Sequence, residues 1–220
     1  MNDNKVFSRQ LELIKPSELD FSIGVIGAGG IGSWATLALA KMGCREITVY
    51  DFDKVEEQNI PSQIYSPEDI GKYKVDALSE TIHKMTGVDI YTVPNNFQES
   101  SYDKHKFLIC AVDSLDERRK IWTEIIKTNP LFFDVFLDAR MAKELIKIHI
   151  VSPFSPYSVK KYLHSINTSI PAYEESCTAK SVVYNTFMCG GLIASIVKKY
   201  AKKEEVKSNI TFDITNFIIL

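Results

Sequence analysis

Six residues, Gly27-Ala28-Gly29-Gly30-Ile31-Gly32, separate a short apolar run (Ile23 to Ile26) from a helical pattern. Glycines at such a point let the backbone approach a phosphate. The helix that follows offers unpaired N–H groups and the positive end of its dipole. Asp51 stands nineteen residues beyond Gly32, at the end of the next apolar run (Ile47 to Tyr50), where a carboxylate can accept from ribose hydroxyls. Loop and acid alone fit a nicotinamide dehydrogenase. The polar residues that follow fit another chemistry: Asp53, Asn59, Gln63, Asp69-Ile70-Gly71 leading to Lys74, and Asp113 after the fourth apolar run. Ligands of open parallel sheets bind beyond the carboxyl ends of strands, and Asp51, Asp53 and Asp113 all fall there. Lys74 opens a helical pattern from which an ammonium can reach phosphate oxygens. Carboxylates beside a phosphate imply Mg²⁺ between them, because bare anions repel. The set points to ATP with Mg²⁺ and attack at phosphorus.

The elements that must position these residues alternate. Strand-like runs fall at Ser22–Ile26, Glu46–Tyr50, Ile90–Val93, Phe107–Ala111 and Leu131–Leu137, and helical patterns at Ile31–Met42, Gly71–Thr86 and Leu115–Lys127. Short strands alternating with longer amphipathic helices predict a doubly wound, mostly parallel α/β sheet of Rossmann-like type. After Ala139 the character changes. Leu145–Val151 predicts a strand, antiparallel to the others. Ser152–Ser176, with Pro153, Pro156 and Pro171, predicts a long crossing segment with little regular structure. Thr178–Lys199 returns to helical periodicity, with Val182, Val183, Ile193, Ile196 and Val197 as core candidates, and Ile210–Leu220 predicts a terminal strand pair. The whole reads as one domain: residues 1–140 form a nucleotide-binding half, and 141–220 add the crossing segment, long helix and terminal strands.

Bulk properties narrow the function classes. The 220 residues are 45% hydrophobic and 25% charged, with a formal net charge of -2. No basic stripe with interleaved aromatics is present, so a nucleic-acid surface is not expected. The polar segment Met1–Gln10 does not read as a signal peptide, and no apolar run is long enough to span a bilayer. The four cysteines (Cys44, Cys110, Cys177, Cys189) form no Cys-x-x-Cys pair. Zinc and disulfides are therefore not expected, and a reducing cytoplasm fits. Cys44, Cys110 and Cys189 lie in apolar settings and read as inert core residues. The histidines show no ligand spacing, and His149 reads as structural.

The motifs together resemble the ThiF/MoeB/HesA family, bacterial relatives of the ubiquitin-activating enzymes. The matching pieces are Ser8-Arg9-Gln10, Gly27 to Gly32, Asp51-Phe52-Asp53, Asn59 with Gln63, Asp69-Ile70-Gly71 leading to Lys74, and Val112-Asp113-Ser114 followed by Arg118. They cover roughly the first 140 residues in order and spacing. The resemblance implies that Gly27, Gly29, Gly30 and Gly32 admit the nucleotide and that Asp51 binds the ribose. It implies that Asn59 and Lys74 contact the phosphates, with Asp53 and Gln63 completing the nucleotide set, and that Asp113 holds Mg²⁺. Arg9 would reach the γ-phosphate of a neighbouring subunit's ATP, which implies a homodimer. The implied reaction is adenylation of a carboxylate, usually the C-terminal glycine of a ubiquitin-like or sulfur-carrier protein ending in Gly-Gly. Cys177, before the long helix, would then receive the acyl group as thioester or persulfide.

Two departures from the family pattern stand out. The family carries Arg before the Gln of Asn-x-x-Arg-Gln, whereas this chain reads Asn59-Ile60-Pro61-Ser62-Gln63. Arg118, Arg119 and Arg140 are the candidate replacements, and Arg140, expected at a strand end beside the pocket, would bind phosphate or the substrate carboxylate. The family's zinc-binding cysteine pairs are absent. Two other functions fit the same pocket: adenylation of a small carboxylate or modified tRNA base, and a non-catalytic nucleotide-binding scaffold.

Overall fold

Runs that are apolar on both faces become strands covered on both sides. In the computed structural model, which describes residues 3–97, 105–128, 133–167 and 182–220, three such runs are buried at every position. They are β1 (Ile23–Ile26), β2 (Ile47–Tyr50) and β4 (Phe107–Cys110). β3 (Tyr91–Val93) lies at the sheet edge, where Tyr91 is exposed. β5 (Val135–Ala142), β6 (Leu145–Val151), β7 (Asn209–Asp213) and β8 (Ile218–Ile219) complete an eight-stranded sheet in the order β3-β2-β1-β4-β5-β6-β7-β8. Pairings from β3 through β5 are parallel, and those from β5 through β8 are antiparallel. This is the doubly wound, mostly parallel sheet with an antiparallel C-terminal extension that the alternation predicts.

Beyond a short N-terminal helix α1 (Asp3–Val6), the helices cover the two faces of the sheet. One face packs against α2 (Gly30–Met42), α3 (Lys74–Thr86) and α6 (Val183–Ala201). The other packs against α4 (Leu115–Thr128) and α5 (Pro156–Asn167), through Ile121, Trp122, Tyr162 and Ile166. The strand order reverses between β1 and β4, which opens a crevice at their carboxyl ends. There Ala111 donates its N–H to the Ile26 carbonyl at 2.8 Å, and Gly27 donates to Tyr50 at 2.8 Å.

Several expectations need correction. The crossing segment is not without regular structure, because α5 occupies Pro156–Asn167. Ser155 caps it, accepting from the Ser158 N–H at 3.2 Å, and Pro156 stands in the first turn, where a missing N–H breaks no helical bond. Residues 168–176 of that segment lie outside the described residues. The helix expected from Gly71 begins at Lys74. β5 runs on past Leu137 to Ala142, so Arg140 is within a strand rather than at its end. Val182 is half exposed and Val183 only partly buried. The α6 residues buried in their place are Asn185 and Thr186, which bond the carbonyls of Lys143 (2.5 Å) and Ser62 (3.0 Å).

Candidate nucleotide-binding site

The glycine loop owes its shape to two contacts that exclude a side chain. Gly27 has φ +96°, and a Cβ there would stand 2.9 Å from the Ala111 carbonyl oxygen. A Cβ on Gly32 would stand 1.8 Å from the Gly27 oxygen. α2 therefore starts directly beneath the loop, with Gly29 as an N-cap that supplies no capping side chain. Its first N–H groups stay available to an anion.

Asp51 ties this loop to β2. One carboxylate oxygen accepts the Ala28 N–H at 2.6 Å and the other accepts the Asp53 N–H at 2.8 Å. A carboxylate offers about four acceptor positions, so capacity remains for sugar hydroxyls. Burial raises the Asp51 pKa above the ordinary carboxylate value, while the Ala28 N–H and the Lys74 ammonium act against that rise. Tyr65, which the sequence reading missed, supports the same loop by donating its hydroxyl to the Ala28 carbonyl at 2.6 Å. Burial and then the negative charges of Asp51, Asp69 and Asp53 keep that phenol protonated.

The next shell comes from the loop after β2 and the start of α3. Asp53 holds Lys74 twice, accepting its backbone N–H at 2.9 Å and its ammonium at 2.8 Å. Asn59 is buried, with its side-chain oxygen on the Glu56 N–H at 2.9 Å, which leaves the amide nitrogen as the group it can offer. Gln63 is 5% exposed, and its side-chain oxygen has no hydrogen-bond partner among the described residues. Across the crevice, Ser114 caps α4 by accepting the Glu117 N–H at 3.0 Å, so exposed Asp113 is relieved of that task.

These groups surround one cavity of about 670 Å³ at the carboxyl ends of β1, β2 and β4. Gly27, Gly29, Gly30, Asp51, Asp53, Asn59, Gln63, Lys74 and Asp113 all line it, whereas Gly32 lies beneath the loop. Five carboxylates line it (Asp51, Asp53, Glu56, Asp113, Glu117) against the ammoniums of Lys54 and Lys74. An excess of carboxylate suits a triphosphate only when cations accompany it. Among the described residues no group of three or more His, Cys, Asp or Glu is arranged to hold a metal. Asp113 nevertheless fits Mg²⁺, an ion held by one or two carboxylates together with phosphate oxygens and water.

Other expected residues fall elsewhere. None of Arg118, Arg119 and Arg140 lines the cavity, so they do not replace the missing arginine at Ser62. Arg118 and Arg140 pair with Asp138, and Arg119 pairs with Asp116 and bonds the Ile166 carbonyl at 2.9 Å. Arg9 is exposed and does not line the cavity of its own chain. Cys177 lies outside the described residues. Lys54 and the segment Asn95-Asn96-Phe97 line the cavity unforeseen. Their signal was position, because both follow the carboxyl end of a strand.

The sequence profile of the ThiF family matches residues 8–217. The chain belongs to the ThiF family. Among curated ThiF relatives, tRNA threonylcarbamoyladenosine dehydratase of Escherichia coli (strain K12) is 35% identical over 103 residues, 44% of this chain and 38% of that protein. The NEDD8-activating enzyme E1 catalytic subunit of Dictyostelium discoideum is 34% identical over 107 residues, 46% of this chain and 24% of that one. The matched region thus spans well under half of either relative. Solved structures share the fold over nearly the whole chain. E. coli MccB with AMPCPP and MccA superposes with a TM-score of 0.74 at 17% identity, covering 100% of this chain and 71% of that one. PaaA superposes with a TM-score of 0.76 at 19% identity, covering 99% and 72%. Enzymes of the ThiF family are ATP-dependent adenylyltransferases. No described helix of this member is long and apolar enough to cross a membrane.

Proposed function

We propose that this ThiF-family chain is an ATP-dependent adenylyltransferase that activates the C-terminal carboxylate of a small ubiquitin-like or sulfur-carrier protein. The observation that carries the reading is the single cavity joining the bare N-terminus of α2, the loop-bound Asp51 carboxylate, and Lys74 and Asp113. In this reading the loop at Gly27, Gly29 and Gly30 and the amides of Asn59 and Gln63 hold the phosphates. Asp51 accepts from the ribose hydroxyls, and Asp53 keeps the Lys74 ammonium aimed into the cavity. Asp113 would hold Mg²⁺, which would supply charge neutralisation for the phosphates. A carboxylate oxygen of the carrier attacks the α-phosphorus, the bond to the bridging oxygen breaks, and pyrophosphate leaves an acyl-adenylate. Positioning and charge neutralisation suffice for such a step.

Two cavity ammoniums are few for a triphosphate. Arg9 of a second subunit would add a cation, so the reading includes a homodimer. Cys177 would take the acyl group from AMP in a second step. Relatives named as ubiquitin-like modifier-activating enzymes support a protein acceptor. The match to a tRNA-modifying dehydratase supports a second reading, with a non-protein acceptor.

The test is ATP–pyrophosphate exchange with candidate carriers. The protein is expected to catalyse exchange only with ATP, Mg²⁺ and its carrier, and Asp113→Ala to lose it by about 100-fold or more, as when one charge-stabilising group is removed. Unchanged exchange in Asp113→Ala rules the assignment out, and exchange with a small carboxylate or tRNA instead of a protein selects the second reading.

A further inference from the structure

Arg118 is the largest side chain that the described fold buries completely, and Asp138 beside it is 0% exposed. Desolvation offsets much of the attraction in a buried ion pair, so stability alone is a weak reason for this one. The contacts of the guanidinium give a better reason. Arg118 pairs through Nη1 with Asp138 and donates through Nη2 to the carbonyls of Val112 and, at 3.0 Å, Ala139. Val112 directly precedes Asp113, and both line the nucleotide cavity. The Arg118 head therefore bridges the β4–α4 loop to the middle of β5.

Asp138 is itself held from its other side. Its second oxygen accepts from Arg140 Nε at 2.8 Å, Arg140 Nη2 at 2.6 Å and the Tyr162 hydroxyl at 3.0 Å. β5, α5 and α4 thus converge on one carboxylate, and that carboxylate orients the arginine that grips the loop. A planar, pre-organised guanidinium suits this work, because it spans several acceptors with little loss of freedom.

We propose that Arg118 and Asp138 are positioning residues for the nucleotide site: the Asp138-anchored guanidinium clamps the Val112 carbonyl to β5 and thereby sets where the Asp113 carboxylate meets the metal-bound phosphates. The inference rests on the adenylation reading for its consequence, and on the ligand-free fold for the clamp. Displacement of a reacting group by about 1 Å can lower a rate on the order of 100-fold, so a clamp far from the chemistry can matter.

Two variants of the full chain test this. Asp138→Asn keeps the volume and removes the anchoring charge. The double variant Arg118→Met, Asp138→Leu removes the two charges of the clamp together, so neither of them strands the other, and Arg140 loses its carboxylate partner in both variants alike. Arg119→Ala, adjacent but outside the clamp, is the control. In ligand-free protein, hydrogen–deuterium exchange of the peptide spanning residues 111–117 is expected to quicken by about fivefold or more in both clamp variants, with β1 and β2 unchanged. ATP binding by calorimetry is expected to lose about fivefold or more of the affinity gained with Mg²⁺, while affinity in EDTA stays within about twofold of the starting protein. Wild-type loop exchange and an intact Mg²⁺ gain in either folded variant overturn the proposal. So does exchange that rises equally in β1, β2 and the loop in both variants, which marks a merely structural pair. Failure of the unaltered chain to bind ATP defeats the adenylation reading, and the clamp's proposed consequence with it. The exchange comparison, which needs no nucleotide, separates that outcome from failure of the clamp itself.

Discussion

Asp51 accepts backbone N–H groups through both of its oxygens before any ligand arrives. It is therefore part of the loop's architecture as well as a ribose ligand in the proposed reaction. Asp51→Asn separates these tasks poorly, because an amide presents one acceptor and two donors. One backbone N–H, of Ala28 or Asp53, would then face an NH₂ group. A hydrogen bond to a charged partner contributes about 1.5–3 kcal/mol, so ATP affinity is expected to fall roughly tenfold to a hundredfold. Calorimetric titration checks this, and a change within twofold would show that the loop keeps its shape without the carboxylate. At this scale the sequence was legible where chemistry is local. Glycines, Asp51, Asp53 and Lys74 sit at strand ends and helix starts, and the cavity gathers them. Tyr65, reaching back 37 residues to Ala28, and Arg118, reaching 20 residues forward to Asp138, were not legible as partners. Pairing across that distance depends on packing, and no spacing rule encodes it.

Elements were legible by period and missed where punctuation misled. The three prolines around α5 read as breakers, yet Pro156 opens the helix, while Tyr162 and Ile166, four apart, bury its inner face. Polar Asn185 and Thr186 looked unlike core residues, but each finds a carbonyl on a neighbouring segment and so can be buried. The junction between loop and α2 yields a sharper test. The Cβ of Gly32→Ala would fall 1.8 Å from the Gly27 oxygen, a backbone atom that cannot rotate away. Either α2 shifts or the loop opens, so melting temperature and ATP affinity are expected to drop together. Gly191, exposed within α6, is the counter-case, because a Cβ there meets nothing within 4 Å. Replacing a helix-interior glycine by alanine stabilises by about 0.5–1 kcal/mol, so Gly191→Ala is expected to raise the melting temperature slightly. Equal melting behaviour for the two variants would show that the close approach at Gly32 does not constrain the fold.

Across the whole molecule, the parallel half carries the cavity and the antiparallel half is attached to it at β5, the strand that holds Asp138 and Arg140. The alternation of strands and helices predicts the first half well. The second half is bound by pairs that sequence does not announce, such as His149 on β6 with Asn209 on β7, 60 residues apart and 2.6 Å between polar atoms. Burial first, and then the positive charge of Arg140, lowers the His149 pKa from its ordinary 6.5 to about 3, with Lys147 and Arg118 acting in the same direction. The imidazole is therefore neutral in the folded chain throughout the neutral and mildly acid range. Above pH 6.5 the folded and unfolded states are both neutral at this site, and its contribution to stability is fully present. As pH falls toward 3 the unfolded chain binds a proton that the folded chain refuses, so stability declines. Between pH 7 and pH 5 the loss assignable to His149 comes to about 2 kcal/mol, at 1.36 kcal/mol per pH unit below 6.5. Urea unfolding at the two pH values measures it. His149→Gln, which keeps a polar partner for Asn209, is expected to flatten the decline by that amount even if it weakens the fold at pH 7. An identical decline in both proteins would mean that the protonated imidazole is accommodated at the junction of the two halves.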